Sequence, residues 1–127
     1  MKVLNLIIKQ KYFDAILAGR KVQEFREIRP TTYKKYVETD EDGAYFVDDD
    51  DNLIPLKYDA IRFFVGYNKD RDSALVEVVG VHTEVFTDKD GNPIKYDYQG
   101  AEWWAEQIVY DLGKILERNI RDKSKKV

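Results

Sequence analysis

Residues Val3–Ile28 read VLNLIIKQKYFDAILAGRKVQEFREI, and the periodicity changes twice within them. Leu4, Leu6 and Ile8 alternate with Val3, Asn5 and Ile7, all but Asn5 apolar β-formers, which predicts a strand mostly buried on both faces. Tyr12, Phe13, Ile16 and Leu17 then recur at helical spacing, and Gly19 falls where a left-handed residue would end a short helix. Gln23–Ile28 alternates again, with Glu24 and Arg26 on one face and Gln23, Phe25 and Glu27 on the other, so a second strand follows.

Outward from this stretch, Pro30 stops the second strand and Thr31 is placed to cap a short helix containing Tyr33, Tyr36 and Val37. Two apolar pieces between Ala44 and Leu56 surround Asp48–Asn52, a pattern for a hairpin with a solvated acidic turn. Ala60–Tyr67 and Ala74–Val85 are the strongest strand signals and form a long central hairpin across Asn68–Ser73. After a turn at Asp88–Pro93, Gln99–Glu106 reads as a short helix carrying Trp103 and Trp104. Ile108–Arg118 fits either a helix, through Ile108, Leu112, Ile115 and Leu116, or a strand with a bend at Gly113. Many short strands with two to three short helices predict a small mixed β-barrel of the α+β class.

The 127 residues are 43% hydrophobic and 35% charged, a normal mix for one domain, here residues 1–121, followed by a basic tail at 122–127. No internal repeat or linker precedes that tail. With no cysteine the chain has no disulfide, no thiol nucleophile and no thiolate-held metal, and a reducing, cytoplasmic setting is expected. The apolar run Val3–Ile8 is broken by Asn5 and ended by Lys9, too short for a membrane span or a signal-peptide core, so a soluble, unprocessed protein is expected. A net charge of -3 argues against coating nucleic acid by bulk positive charge and leaves room for a local basic groove. No DNA-specific signal and no cofactor motif is present.

The turn at Asp88-Lys89-Asp90-Gly91 lacks calcium-loop spacing, since Pro93 stands where the invariant glycine belongs, and Asp48–Asp51 reads as a solvated turn. His82 is the only histidine and lies on a strand, so no multi-histidine metal site exists. Ser73 and Ser124 lack the surroundings of a hydrolase nucleophile. The informative segment is Gly19-Arg20-Lys21-Val22-Gln23-Glu24-Phe25-Arg26. Glu24 and Arg26 share a strand face and Lys21 enters from the preceding turn, so two cations and a carboxylate can converge as an anion site. Spacing alone favours an exposed ion pair beside a solvated lysine, worth up to ~1 kcal/mol.

Leu4-Asn5-Leu6-Ile7-Ile8-Lys9, the helix, and then G-x-K-x-x-E-x-R through Gly19, Lys21, Glu24 and Arg26 resemble the ASCH (activating signal cointegrator homology) domain of the PUA-like β-barrels. The likeness runs through the central hairpin to Ile108–Glu117, which is similar to the family's closing strand and favours strand there. It implies a cleft in which Lys21, Glu24 and Arg26 bind RNA or a nucleotide-like small molecule. Lys9 and Trp103 are further candidates at this cleft, Trp103 as a stacking platform, with Tyr96 or Tyr98 serving likewise. One branch resembling this domain hydrolyses the acetyl amide of N4-acetylcytidine with a lysine, a threonine nucleophile and a later glutamate. Lys21 matches the lysine, Glu24 stands in the threonine's place, and the later glutamate is Glu77, Glu102 or Glu106. As an amidohydrolase this chain would use Lys21 and Glu24 as catalytic residues activating water, and no metal.

Overall fold

The computed structural model describes residues 1–121, so the basic tail at 122–127 lies outside the described residues. In chain order the elements are β1 (Val3–Ile8), α1 (Gln10–Leu17), β2 (Gln23–Ile28), a 3-10 turn at Tyr33–Lys35, β3 (Ala60–Val65), β4 (Ser73–Val85), β5 (Lys95–Tyr98), β6 (Ala101–Trp104) and β7 (Glu106–Asn119). This is a small α+β protein dominated by strands. Five strands follow the order β1-β3-β4-β7-β2, which begins and ends on different strands rather than returning on itself, and β5-β6 is a separate two-stranded sheet. Among the described residues the chain packs as two compact units: residues 1–23, 58–80 and 111–121 in the first, and residues 24–57 and 81–110 in the second.

In the first unit β1 pairs in parallel with β3, Val3 opposite Ala60 and Ile8 opposite Val65, and β3 pairs antiparallel with β4. Leu4, Leu6 and Ile8 of β1 are buried with Phe13 and Ile16 of α1 and Ile61 and Phe63 of β3. Asn5 is exposed and Ile7 only half-buried, so β1 buries one face fully rather than both. Helix α1 ends as its sequence dictates. Gly19 has φ +76°, its N–H donates to the Ile16 carbonyl at 3.1 Å, and Arg20 N–H reaches the Ala15 carbonyl at 2.9 Å, the paired bonds of a Schellman stop.

The second unit has its own core of Ile28, Tyr36, Val37, Leu53, Ile108, Val109 and Tyr110. Here the sequence expectations need correction. The helix predicted over Gln99–Glu106 is instead β6, paired with β5 so that Tyr96 faces Trp103 and Lys95 faces Trp104. Gln99 and Gly100 both have positive φ, +48° and +82°, the signature of a two-residue hairpin turn that matches strand twist. The helix expected after Thr31 is only the 3-10 turn. Its N-cap is Thr32, whose Oγ1 accepts the Arg29 N–H at 3.2 Å rather than capping the helix. Among the described residues there is thus one α-helix where two to three were predicted. The segment left open at Ile108–Arg118 lies within strand β7.

A recurring turn went unread in the sequence. At Asp40, Asp48 and Asp88 the side-chain Oδ1 accepts the N–H groups two and four residues on, and the residue three on has positive φ: Gly43, Asp51 and Gly91. Each turn is closed by a bridge between the flanking residues, Thr39 with Tyr45, Val47 with Leu53, and Thr87 with Pro93. The aspartates are therefore committed to turn geometry, which accounts for the two acidic turns in structural terms.

Candidate functional site: a basic hollow and two aromatic cavities

The Schellman stop delivers Lys21 to the start of β2, its N–H donating to Ala15 at 3.1 Å. Lys21 lines a surface hollow of about 380 Å³ whose walls also carry Lys114 and Arg118 of β7, with Ile16, Val76 and Gly113 among the remaining lining residues. No carboxylate belongs to that lining. The Lys21 ammonium lies 5.7 Å from the ring centroid of Tyr12, and Lys11 stands 4.8 Å over the same ring, which is 44% exposed. An exposed aromatic flanked by two ammonium groups beside a cationic hollow can stack a base and neutralise phosphate together.

Gly113 explains how β7 reaches this hollow. A Cβ at Gly113 would collide with the Glu77 carboxylate and stand 2.7 Å from Val79 Cγ1, so glycine permits a close approach of β4 side chains. Glu77 Oε1 also accepts the Lys114 N–H at 3.4 Å. The relation is reciprocal across the two strands: a Cβ at Gly80 of β4 would stand 2.7 Å from Asp111 Oδ2 of β7, whose Oδ1 accepts the Gln23 side-chain amide at 2.8 Å. Of the three glutamates singled out in the sequence, Glu77 alone shares a unit with Lys21, while Glu102 and Glu106 belong to the other.

The remaining motif residues divide as follows. Lys9 is exposed at the N-cap of α1, its carbonyl accepting the Tyr12 and Phe13 N–H groups. Glu24 and Arg26 belong to the second unit. Glu24 is 6% exposed, its Oε2 pairs with Arg26 Nη2 at 3.4 Å, and its Oε1 accepts the Phe25 N–H at 3.1 Å. Trp103 packs in a cluster with Tyr33 and Tyr45.

Two cavities of the second unit share Ile28 and Glu106. The larger, about 510 Å³, is walled by Phe86, Tyr96, Tyr98 and Pro30, with the Arg29–Glu27 ion pair on its lining. The smaller, about 230 Å³, is lined by Tyr45, Trp103 and Trp104 with Asp51 and Glu102. Burial pushes the Glu106 carboxyl above its ordinary pKa and is also the main cause raising Tyr96. Sequence reasoning did not find Lys114, Arg118, Phe86 or Arg29 as site residues, and it left Glu77 as one of three alternatives for the later glutamate.

Among the described residues the first unit has eleven Lys and Arg against seven Asp and Glu, and the second has seven against sixteen. The net charge of -3 thus conceals a basic unit at +4 and an acidic unit at -9, the remaining +2 lying in the tail outside the described residues. Among the described residues no group of three or more acidic or histidine side chains is placed to hold a metal ion, and no helix is long and apolar enough to cross a membrane. Comparison with protein-family models, curated proteins and solved structures found no match.

Proposed function

We propose that this chain is an ASCH-type, PUA-like module that binds single-stranded RNA or a nucleotide through its basic unit, with Lys21 at the centre of the site. The observation that carries this reading is the gathering of Lys21, Lys114 and Arg118 around one hollow with the Tyr12 ring beside Lys21. The cations hold phosphate oxygens and the exposed ring stacks a base. The excess positive charge of the unit supplies the attraction that the whole chain's -3 would deny. Glu24, buried and held by Arg26, acts in this reading as a structural ion pair that anchors β2 rather than as a base.

The test is fluorescence anisotropy with a labelled short single-stranded RNA across a salt titration. Binding weakens steeply with salt, because three cations facing phosphate give a slope of about -2 in log K against log salt for a single strand. Lys21→Ala, Lys114→Ala and Arg118→Ala each weaken binding and flatten that slope by about 0.7, whereas Lys89→Ala in the acidic unit leaves both unchanged. Affinity insensitive to salt, or equal losses from Lys89→Ala, would remove the reading.

The amidohydrolase is the second reading, favoured by Glu77 being the one glutamate of the three that shares a unit with Lys21. No hydroxyl nucleophile stands at position 24 and no carboxylate lines the hollow, so hydrolysis there would need water activated beside Lys21. We expect little acetate release from N4-acetylcytidine and no covalent burst. Robust turnover lost in both Lys21→Ala and Glu77→Gln would make the enzyme the better description.

A further inference from the structure

The smaller cavity of the acidic unit has a chemistry opposite to that of the basic hollow. Its lining brings together Tyr45, Trp103 and Trp104 with the carboxylates of Asp51, Glu102 and Glu106, and includes no lysine or arginine. Ring faces carry negative quadrupole potential, so rings and carboxylates here have the same electrostatic sign. An anion would meet no positive side chain on the lining itself. A cation would be attracted by both kinds of group.

Tyr45 and Trp103 on this lining also contact each other and Tyr33, with centroids 5.5 to 6.3 Å apart and planes inclined by 55° to 87°, so the three rings meet at an angle instead of stacking. The chain's own Lys95 uses the same pairing, its ammonium lying 5.8 Å from the Trp104 ring centroid and 3.5 Å from Glu102 Oε1. Val47, Leu53 and Ile28 complete the walls. Ring faces and aliphatic walls give van der Waals contact to alkyl groups, so the cavity suits a cation whose charge is spread over such groups. Burial is the cause acting on the Glu106 carboxyl, and a cation beside it would favour its charged form.

We propose that this cavity binds an alkylated ammonium group, with Trp103 and Tyr45 against its methyl groups and Glu106 as its counter-charge. A free trimethylammonium compound and a methylated lysine side chain share that chemistry. The site is independent of the RNA reading, since it lies wholly within the acidic unit.

Calorimetric titrations with choline, with its uncharged isostere 3,3-dimethyl-1-butanol and with the amide of Nα-acetyl-trimethyllysine test it. Both trimethylammonium probes give saturable binding and quench tryptophan emission, and the isostere binds about tenfold more weakly or worse. Trimethyllysine binding more tightly than choline assigns the site to a protein side chain, and equal affinity assigns it to a free small molecule. Glu106→Gln lowers choline affinity several-fold while leaving isostere affinity unchanged. Trp103→Phe, which keeps a ring and guards against misfolding, retains weakened choline binding with an unchanged circular dichroism spectrum. An isostere that binds as tightly as choline, or the absence of saturable binding by either trimethylammonium probe, overturns the proposal.

Discussion

Glu106 is a carboxylate whose burial is not offset by a countercharge, so its protonation state is coupled to stability. Its folded pKa lies above the unfolded value. Its favourable contribution is therefore fully present below the ordinary carboxylate range and is lost as pH rises through the folded value. At neutral pH the charged side chain costs stability that an amide would not. Glu106→Gln should accordingly raise Tm at pH 7, with the gain vanishing below about pH 4, where the native carboxyl is already protonated. A gain that persists at acid pH would point to packing rather than charge. Asp51 makes a second residue-scale contrast. It occupies with φ +63° the turn position held by Gly91 with φ +83°. Gly91→Ala introduces left-handed strain of roughly 1–2 kcal/mol, while Asp51→Ala replaces a residue already bearing that strain and should cost clearly less of it. Urea midpoints of the two variants compare them.

At the scale of elements, β4 and β7 approach closely through a pair of glycines, each filled by a carboxylate from the other strand. Gly113→Ala must displace Glu77 or Val79 and is expected to destabilise by about 1–3 kcal/mol, the usual range for overpacking. Removing the Glu77 side chain as well should recover part of that loss, and a double-mutant cycle measures the coupling. Additive losses would mean the methyl group is accommodated elsewhere. The same element shows why periodicity left Ile108–Arg118 open. Ile108, Leu112, Ile115 and Leu116 satisfy helical spacing, and only pairing with neighbouring strands decides for β7. In β6 the error had a local remedy: Gln99-Gly100 between aromatic-rich flanks is a hairpin signal, and the adjacent tryptophans are good strand residues.

For the whole molecule, the charge partition leads to a prediction that no single residue carries. Polyanions should engage residues of the first unit and organic cations those of the second, so chemical-shift changes on adding short RNA and on adding choline should fall on separate sets of amides. Overlapping sets would contradict the partition. The sequence by itself determined the local elements: β1, the helix stop at Gly19, β2, the central strands, and the exclusion of cysteine chemistry. These follow from periodicity, glycine conformation and composition, which act over a few residues. It also singled out Lys21, whose position after a Schellman stop is a local consequence of Gly19. Only the tertiary structure decided that Lys114 and Arg118 join Lys21, that Glu24 and Arg26 belong to the other unit, and that Trp103 faces carboxylates. Each unit is assembled from segments far apart in the chain, so the charge a ligand meets is set by long-range pairing that no window of sequence contains.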